Sequence, residues 1–325
     1  MLTPDKITAM VNKAVEELPF TRQPHTLYEP VVYALSRGGK RIRPTLMLLA
    51  YNLFRDDPER ILSQACAIEV YHNYTLLHDD LMDNADIRRG APTVHRKWGA
   101  NAAILSGDAM LVVAYRLMAS CGDDTLRDVL ALFSETALEI GEGQQYDMDF
   151  ETRDDVTEEE YIEMIRLKTS VLLACSMKTG AILAGAPRSD ADCLYKCGES
   201  LGLAFQLQDD LLDVYGDPKV FGKAVGGDIV ANKKTYMLIN ALLRADDAKR
   251  AELVGWLSDN APEHHEAKIA AVTRIYDALS IRELCEEKIK SCFGQSAMYM
   301  DRVSVPDSRK APLRSFAAKM MGRER

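Results

Sequence analysis

The chain has 325 residues, of which 47% are hydrophobic and 27% charged, and its formal net charge is -9. This composition excludes a disordered chain and a disulfide-dense mini-protein. The acidic balance, with 49 acidic against 40 basic residues, argues against a nucleic-acid binder, which usually carries a basic excess.

The start of the chain lacks the basic segment and apolar stretch of a secretory signal, and no apolar run reaches the roughly 18 residues that a bilayer span needs. The seven cysteines form no paired C-x-x-C motif, which is typical of reduced cysteines in a cytosolic protein. We therefore expect a cytoplasmic protein without stable membrane insertion.

Apolar residues recur at three- and four-residue spacing through most of the chain, which is the pattern of amphipathic helices. Strand signals are nearly absent, and proline is concentrated at the ends and in turns. No linker or shift in composition marks a domain boundary. The sequence therefore predicts an all-α protein with a single domain over residues 1–325 and helices at 60–82, 101–120, 125–148, 158–185, 190–214, 233–244, 248–258, 265–280 and 281–300.

One acidic motif occurs twice, within residues 78–83 and again within residues 208–213. Helical residues four apart differ by about 40° in direction, so the first and last aspartates of each motif share one face. Folding alone does not explain such clusters, because aspartate is a mediocre helix former and the carboxylates repel each other. We call them the first and the second aspartate triplet: Asp79, Asp80 and Asp83, and Asp209, Asp210 and Asp213.

Crowded carboxylates need a cation, and all-oxygen donors suit Mg²⁺, which normally bridges to substrate phosphates. The alternative is a pair of solvated acidic patches, whereas an EF-hand and a P-loop are excluded because neither motif occurs. Basic residues near the triplets have two possible roles. They either balance the charge of the aspartates or, together with Mg²⁺, hold a diphosphate as it leaves. They are Lys40, Arg41 and Arg43 behind a glycine pair, Arg88 and Arg89, Lys168, and Lys223, Lys233 and Lys234.

In these motifs and their order, the chain resembles the trans-isoprenyl diphosphate synthases, or polyprenyl synthetases, across residues 30–240. The matching segments are Gly-Gly-Lys-x-x-Arg-Pro at 38–44, the first triplet followed by Arg-Arg-Gly at 88–90, Phe-Gln-x-x-Asp-Asp-x-x-Asp at 205–213, and the stretch from Gly-Lys at 222–223 to Lys-Lys-Thr at 233–235. The resemblance implies an all-α bundle of helices around a deep central cavity, usually assembled as a homodimer.

The resemblance also implies roles for individual residues. The two triplets would bind three Mg²⁺ ions that hold the diphosphate of an allylic substrate, with Arg88, Lys168, Lys223 and Lys233 as its cationic partners. Lys40, Arg43, His72 and Arg89 match positions that bind isopentenyl diphosphate, although His72 alone is typical of a structural helix histidine. Thr169 and Gln206 match polar positions that stabilise the cationic intermediate.

The implied activity is that of a prenyltransferase that condenses isopentenyl diphosphate head-to-tail with an allylic diphosphate. The allylic diphosphate departs, the carbocation is attacked by the double bond of isopentenyl diphosphate, and a proton is lost to the departing diphosphate. An apolar cavity shields the cation from water. No covalent nucleophile of the enzyme is needed.

Product length is expected to depend on Tyr74 and Thr75, which precede Asp79 by five and four residues. In the family the growing product descends along this helix, and a bulky residue one turn upstream closes its path. Tyr74 therefore indicates a short product, with C20 geranylgeranyl diphosphate preferred and C15 farnesyl diphosphate as the alternative. If Tyr74 instead packs against a helix, the floor of the product cavity, where chain growth stops, lies deeper.

Three other functions compete with this interpretation. A terpene cyclase or head-to-head synthase of related fold has no need of an isopentenyl diphosphate site, which segment 38–44 resembles. A non-catalytic regulatory subunit typically lacks one aspartate triplet, and both are whole here. A structural cation-binding helical protein would gain no thermal stability from diphosphates.

Overall fold

The computed structural model describes residues 2–217, 225–259 and 261–322. Helices dominate these residues, whose strands are limited to one antiparallel pair, β1 (Ile87–Arg88) and β2 (Ala91–Pro92). The helices are α1 (Pro4–Glu16), α2 (His25–Ser36), α3 (Ile42–Tyr51), α4 (Leu62–Met82), α5 (Val94–Trp98), α6 (Ala100–Met118), α7 (Asp123–Glu151), α8 (Glu158–Ile165), α9 (Val171–Leu183), α10 (Arg188–Tyr215), α11 (Gly227–Val230), α12 (Tyr236–Arg244), α13 (Asp247–Ser258), α14 (His265–Ala278), α15 (Ile281–Asp301) and α16 (Asp307–Met321). The predicted all-α class is confirmed.

The predicted segments correspond to helices, with one informative difference. Segment 158–185, predicted as a single helix, is divided into α8 and α9 by a π-helical turn at Arg166–Ser170. Local signals set several helix starts: Thr157 forms a capping box with Glu160 before α8, and the Thr235 side chain accepts a hydrogen bond from the backbone N–H of Leu238 at the start of α12. Two short 3-10 helices are described in addition, at Pro58–Ile61 and at Pro262–His264.

The chain forms two compact units from interleaved segments, and the first unit comprises residues 1–134, 175–195 and 303–313. Helix α4 is its most buried long helix, with Ala65, Ile68, Val70 and Tyr71 at most 2% exposed. Because apolar residues surround α4 on several sides, it lies inside the unit rather than on its surface. The first aspartate triplet ends this helix.

The second unit comprises residues 135–174, 196–302 and 314–325. Its hydrophobic core joins α8, α10, α12, α14 and α15, and Leu207, Ile239, Val272 and Cys285 are among its buried members. The second aspartate triplet lies on α10. The predicted single domain over residues 1–325 and the central cavity that the family resemblance implies both stay predictions.

No helix in the described ranges is both long enough and apolar enough to cross a membrane.

Candidate active site

The first aspartate triplet lies at the carboxyl end of α4. Asp79 and Asp80 belong to the last turn, and Asp83 follows the final helical residue. Asn84 then adopts a left-handed conformation, with φ of 51°, and the chain reverses so that β1 returns alongside the helix end. This reversal brings Arg88 back to the triplet.

Arg88 contacts two members of the first triplet. Its Nε lies 2.6 Å from Asp80 Oδ1, and one of its terminal nitrogens lies 3.3 Å from Asp79 Oδ2. Asp80 is only 5% exposed, and burial raises its pKa while the Arg88 charge opposes the rise. The middle aspartate is therefore fixed by a protein cation, whereas Asp83 is exposed to solvent.

A second group of cations lies around the loop that precedes α3. Arg89 donates a hydrogen bond to the carbonyl of Gly38, and a Cβ on Gly39 would lie 3.1–3.2 Å from the Arg89 guanidinium. Arg43 is 3.2 Å from His72 Nε2, which joins the start of α3 to α4. The structure therefore places three of the four residues predicted for isopentenyl diphosphate in these two contacts, and the fourth, Lys40, lies in the same loop.

Several arginine charges act on His72. Burial lowers its pKa well below the ordinary value, and Arg43, Arg89, Arg88 and Arg41 lower it further, in that order. His72 is thus neutral at pH 7, and Arg43 donates to its ring nitrogen. Four guanidinium groups acting on one imidazole form an electropositive region that is suited to a diphosphate.

A buried ion pair beneath this loop was not predicted as a site feature. Arg41 adopts a left-handed conformation with φ of 49°, and its guanidinium donates to Glu69, to the carbonyl of Leu35 and to Asn12. Asn73 donates to the same Glu69 carboxylate at 2.9 Å. This network holds the cationic loop against α4, and no short sequence motif reveals it because its members lie far apart in the chain.

The second aspartate triplet repeats one feature of the first. Its middle member, Asp210, is also 5% exposed, and it accepts hydrogen bonds from the Tyr161 hydroxyl and from Gln206 Nε2. Burial, followed by the negative charge of Asp228, raises the pKa of Asp210. Asp213 Oδ2 accepts a hydrogen bond of 2.9 Å from the backbone N–H of Asp228.

Lys168 and Thr169 lie in the π-helical turn, where the backbone N–H of Val171 donates to the carbonyl of Arg166. The Lys168 ammonium is 2.6 Å from Asp147 Oδ2 of α7, and Thr169 Oγ1 donates to Gln206 Oε1 at 3.0 Å. A π-helical turn inside a helix frequently marks a functional site. Asp147 was not predicted as a site residue.

Glycines allow neighbouring helices to approach this turn closely. A Cβ on Gly143 of α7 would lie 2.3 Å from the backbone nitrogen of Lys168, and one on Gly202 of α10 would lie 2.5 Å from the Cα of Ser170. No side chain fits at either position without displacing backbone. A Gly143-x-x-x-Asp147 spacing on one helix face is the sequence signal that identifies this contact, since both residues meet Lys168.

Two further predicted cations follow the second triplet. Lys233 lies in the short connection between α11 and α12, directly after Asn232, which has a φ of 54°. Lys223 lies outside the described residues. Neighbouring Lys234 forms an ion pair of 3.3 Å with Asp154.

The carboxylate oxygens of both triplets suit a Mg²⁺ ion whose coordination shell is completed by oxygens of the substrate. Among the residues described, no three His, Cys, Asp or Glu side chains are grouped closely enough to hold a metal ion by themselves. Mg²⁺ is usually bound through one or two carboxylates while water and substrate phosphates supply the other oxygens. Aspartates one helical turn apart, beside arginines suited to a diphosphate, match that requirement.

Tyr74 lies on α4 and is partly buried. Its ring packs edge-on against His78 at a centroid distance of 4.8 Å and lies 5.4 Å from the ring of Tyr71. His78 lies in turn against Gly107 of α6, where a Cβ would lie 2.2 Å from its Nε2. Thr75 Oγ1 donates to the carbonyl of His72 at 2.8 Å. Tyr74 is therefore fixed by an aromatic row one turn before the first triplet.

Comparison with known proteins agrees with this arrangement. Residues 24–275 match the sequence model of the polyprenyl synthetase family. The chain is 43% identical to geranylgeranyl diphosphate synthase of Methanosarcina mazei over 71% of its length and 72% of the relative. It is 40% identical to geranylfarnesyl diphosphate synthase of Natronomonas pharaonis over 87% of each protein. A crystal structure of a geranylgeranyl pyrophosphate synthase superposes with a TM-score of 0.95 at 41% identity, covering 100% of both chains. The chain therefore belongs to the polyprenyl synthetase family.

Proposed function

We propose that this protein is a Mg²⁺-dependent short-chain trans-prenyltransferase that condenses isopentenyl diphosphate head-to-tail with allylic diphosphates. The observation that carries the proposal is the group of arginines near the first aspartate triplet: Arg43 lies 3.2 Å from His72, and the charges of Arg43, Arg89, Arg88 and Arg41 all act on that imidazole. Such a group accommodates the negative charge of two diphosphate substrates. Membership of a family whose relatives are named prenyl diphosphate synthases supports the same activity.

In this proposal the aspartate triplets hold Mg²⁺, and the number of three ions implied by the family belongs to the proposal. The outer aspartates, Asp79, Asp83, Asp209 and Asp213, are more exposed than the middle ones and offer carboxylates to the ions. Bound Mg²⁺ supplies charge neutralisation at the leaving diphosphate. Asp80 and Asp210 are oriented by hydrogen bonds from Arg88 and Tyr161.

The basic residues bind and orient the two diphosphates. Arg88 and Lys168, with Lys223 and Lys233, are assigned to the allylic diphosphate, and Lys40, Arg43, His72 and Arg89 to isopentenyl diphosphate. Cations aimed at a departing diphosphate stabilise charge that develops in the transition state. Arg43 and His72 act as one unit, because the neutral imidazole accepts a hydrogen bond from the arginine and thereby fixes it.

The hydrogen bond between Thr169 and Gln206 supports a second role. An allylic carbocation is stabilised by oxygen dipoles, and these two side chains supply a hydroxyl and an amide oxygen. Neither is basic, so neither removes the proton prematurely. The proton passes to the departing diphosphate.

We propose geranylgeranyl diphosphate, C20, as the main product, with farnesyl diphosphate, C15, as the alternative. The Tyr74 ring, fixed between His78 and Tyr71, supports a closed floor near the first triplet. Relatives named for C20 products are 35% and 43% identical to the chain, and one named for a C25 product is 40% identical. Overall identity therefore does not distinguish the product lengths, and the proposal rests on the residue at the floor of the cavity.

We also propose a homodimer. Leu105 and Val112, seven residues apart on one face of α6, are each 60% exposed, and Ile104 next to them is 43% exposed. A second copy of the chain would bury such an apolar stripe. The cytoplasmic location stays a prediction from the sequence.

The decisive experiment is mass spectrometry of the products made from dimethylallyl and isopentenyl diphosphates with Mg²⁺. We expect a C20 diphosphate as the main product and no product after EDTA. Parallel incubation of an allylic diphosphate without isopentenyl diphosphate distinguishes the competing enzymes. Turnover without isopentenyl diphosphate would identify a cyclase or a head-to-head synthase and overturn the proposal.

A further inference from the structure

We infer that Lys268, a buried lysine of α14, is a positioning residue that fixes the Asp213 carboxylate and Lys233 through the one-turn helix α11. The inference rests on the proposed function, because it gives Lys268 a role in holding groups assigned to metal and diphosphate binding. Lys268 itself lies behind α11 and belongs to none of the predicted motifs.

The ammonium of Lys268 is surrounded by three oxygens from two segments of the chain. The residue is 1% exposed, and its Nζ donates to Asn232 Oδ1 at 2.7 Å, to the carbonyl of Asp259 at 3.1 Å and to the carbonyl of Val230 at 3.5 Å. A lysine ammonium has three donors, and three acceptors are present. Burying a charge is costly unless its hydrogen bonds are made, so the ammonium is bound to these three acceptors and connects the segments that carry them.

Two of these acceptors determine the course of the chain before Lys233. Val230 is the last residue of α11, and Asn232 is the left-handed residue from which the chain turns toward α12. The Asn232 side chain is held at both ends, because its Nδ2 donates to the carbonyl of Leu257 at 2.9 Å. Lys233 follows immediately, and its backbone N–H donates to the carbonyl of Asp228 at 3.0 Å.

The opposite end of α11 meets the second aspartate triplet. The backbone N–H of Asp228 donates to Asp213 Oδ2 at 2.9 Å, and a Cβ on Gly227 would lie 3.4 Å from Asp213 Oδ1. The orientation of the Asp213 carboxylate therefore depends on the position of α11.

Helix α14 also contacts α11 at this end. Ile269, the neighbour of Lys268, packs against Gly226, whose φ is 88° and whose Cβ, if it had one, would lie 2.6 Å from Ile269 Cδ1. Ile269 thus contacts the start of α11 and Lys268 its end. Two adjacent residues of one helix fix both ends of the element that lies between Asp213 and Lys233.

Loss of the ammonium would release one of these two contacts. The carbonyl of Val230 and the amide of Asn232 would lose a charged donor, and the end of α11 would lose this contact with α14. The competing explanation is that Lys268 merely stabilises the core of the second unit, in which case its removal would act on folding alone.

The test compares Lys268→Met, which keeps the apolar stem, with Lys268→Arg and with Asn232→Gly, which keeps the positive φ and removes the amide. The control is Ile275→Ala, a core truncation two turns away on α14 with no polar contact to α11. All variants and wild type are examined as the full chain by hydrogen–deuterium exchange of residues 225–235 and by steady-state kinetics.

We expect Lys268→Met and Asn232→Gly to accelerate exchange in residues 225–235 and to raise the Mg²⁺ half-saturation and the allylic KM about tenfold. The KM for isopentenyl diphosphate should stay within about twofold, and Lys268→Arg should recover part of the loss because it keeps the charge. Ile275→Ala should lower the Tm without these changes.

The inference is overturned if Lys268→Met and Asn232→Gly differ from wild type only as Ile275→Ala does, in Tm alone. If Lys268→Met does not fold, Asn232→Gly and Lys268→Arg carry the comparison. If wild type makes no prenyl diphosphate, the proposed function fails, whereas the exchange of residues 225–235 still decides whether Lys268 holds α11.

Discussion

The ammonium of Lys168 lies 2.6 Å from Asp147 Oδ2, and both side chains are only 24% exposed. Asp147 comes from α7 and Lys168 from the π-helical turn between α8 and α9. A partly buried ion pair in this position restricts the lysine to one direction. In the proposed function, where Lys168 binds the allylic diphosphate, Asp147 is therefore a positioning residue for Lys168.

We expect Asp147→Asn to lower kcat/KM for the allylic diphosphate about ten- to a hundredfold, because a displaced cation no longer meets the leaving group. Steady-state kinetics at saturating isopentenyl diphosphate measure this. Asp149→Asn is the matched control, since it removes the same charge from an exposed position of the same helix. Equal losses in both variants would refute a specific role for Asp147.

Gly143→Ala should destabilise the protein by about 1–3 kcal/mol, because the added methyl group would meet the Lys168 backbone and force α7 away from the π-helical turn. Gly141→Ala is the control on the same helix, where no described atom outside the adjoining helix backbone lies within 4 Å of the new Cβ. It should stabilise α7 by about 0.5–1 kcal/mol. Urea denaturation of both variants measures the difference, and a neutral Gly143→Ala would contradict the close packing.

Tyr74→Ala should lengthen the product by one or more five-carbon units, because it removes the ring that lies against His78 and Tyr71. Chromatography of the dephosphorylated products measures their length. Tyr74→Phe keeps the ring and should give the wild-type product. An unchanged length in Tyr74→Ala would mean that the floor lies deeper than Tyr74.

Removing one member of the Arg41–Glu69 pair should lower the free energy of unfolding by about 3–5 kcal/mol, because the remaining charge would be buried without its partner. The two side chains are 4% and 3% exposed. Denaturant titrations of Arg41→Met, Glu69→Gln and the double variant test this. The double variant should be less destabilised than the sum of the single ones, and strict additivity would show that the pair is not coupled.

Because His72 is neutral in the folded protein, we expect the stability of the protein to depend on pH in a definite direction. Its pKa in the folded protein lies well below the ordinary 6.5, so below that pH the unfolded chain binds a proton that the folded protein excludes. Stability should therefore fall as the pH drops through 6.5, by up to about 1.4 kcal/mol per pH unit from this residue. His72→Gln should remove that component between pH 6.5 and 5, whereas His25→Gln at an exposed position should keep it. Parallel curves for wild type and His72→Gln would refute the assignment.

The sequence predicted most long helices because three- and four-residue apolar spacing follows directly from helix geometry. It missed α1, α2, α3, α5, α11 and α16. It also missed the π-helical turn at Arg166–Ser170, which has no spacing of its own. That turn depends on the close approach of Gly143, and such an approach is a property of the packed helices rather than of one segment.

Within the candidate site, the aspartate triplets and the arginines at 88 and 89 were predictable because short motifs carry them. The partners that fix them were not. Tyr161 is separated from Asp210 by 49 residues, and Arg41 from Glu69 by 28, and no local pattern connects residues at such distances. The sequence identifies the groups that meet the substrate more readily than those that hold them.

The π-helical turn also limits how the gene encoding this chain can vary. Such a turn contains one residue more than a regular helical turn, so α8 and α9 would join as one uninterrupted α-helix if the codon of Leu167 were lost. A deletion of this kind would be mild for folding, yet it would move Lys168 and Thr169 away from Asp147 and Gln206. An in-frame loss of one residue here is therefore expected to leave a folded protein in which the ammonium and the hydroxyl face the wrong neighbours.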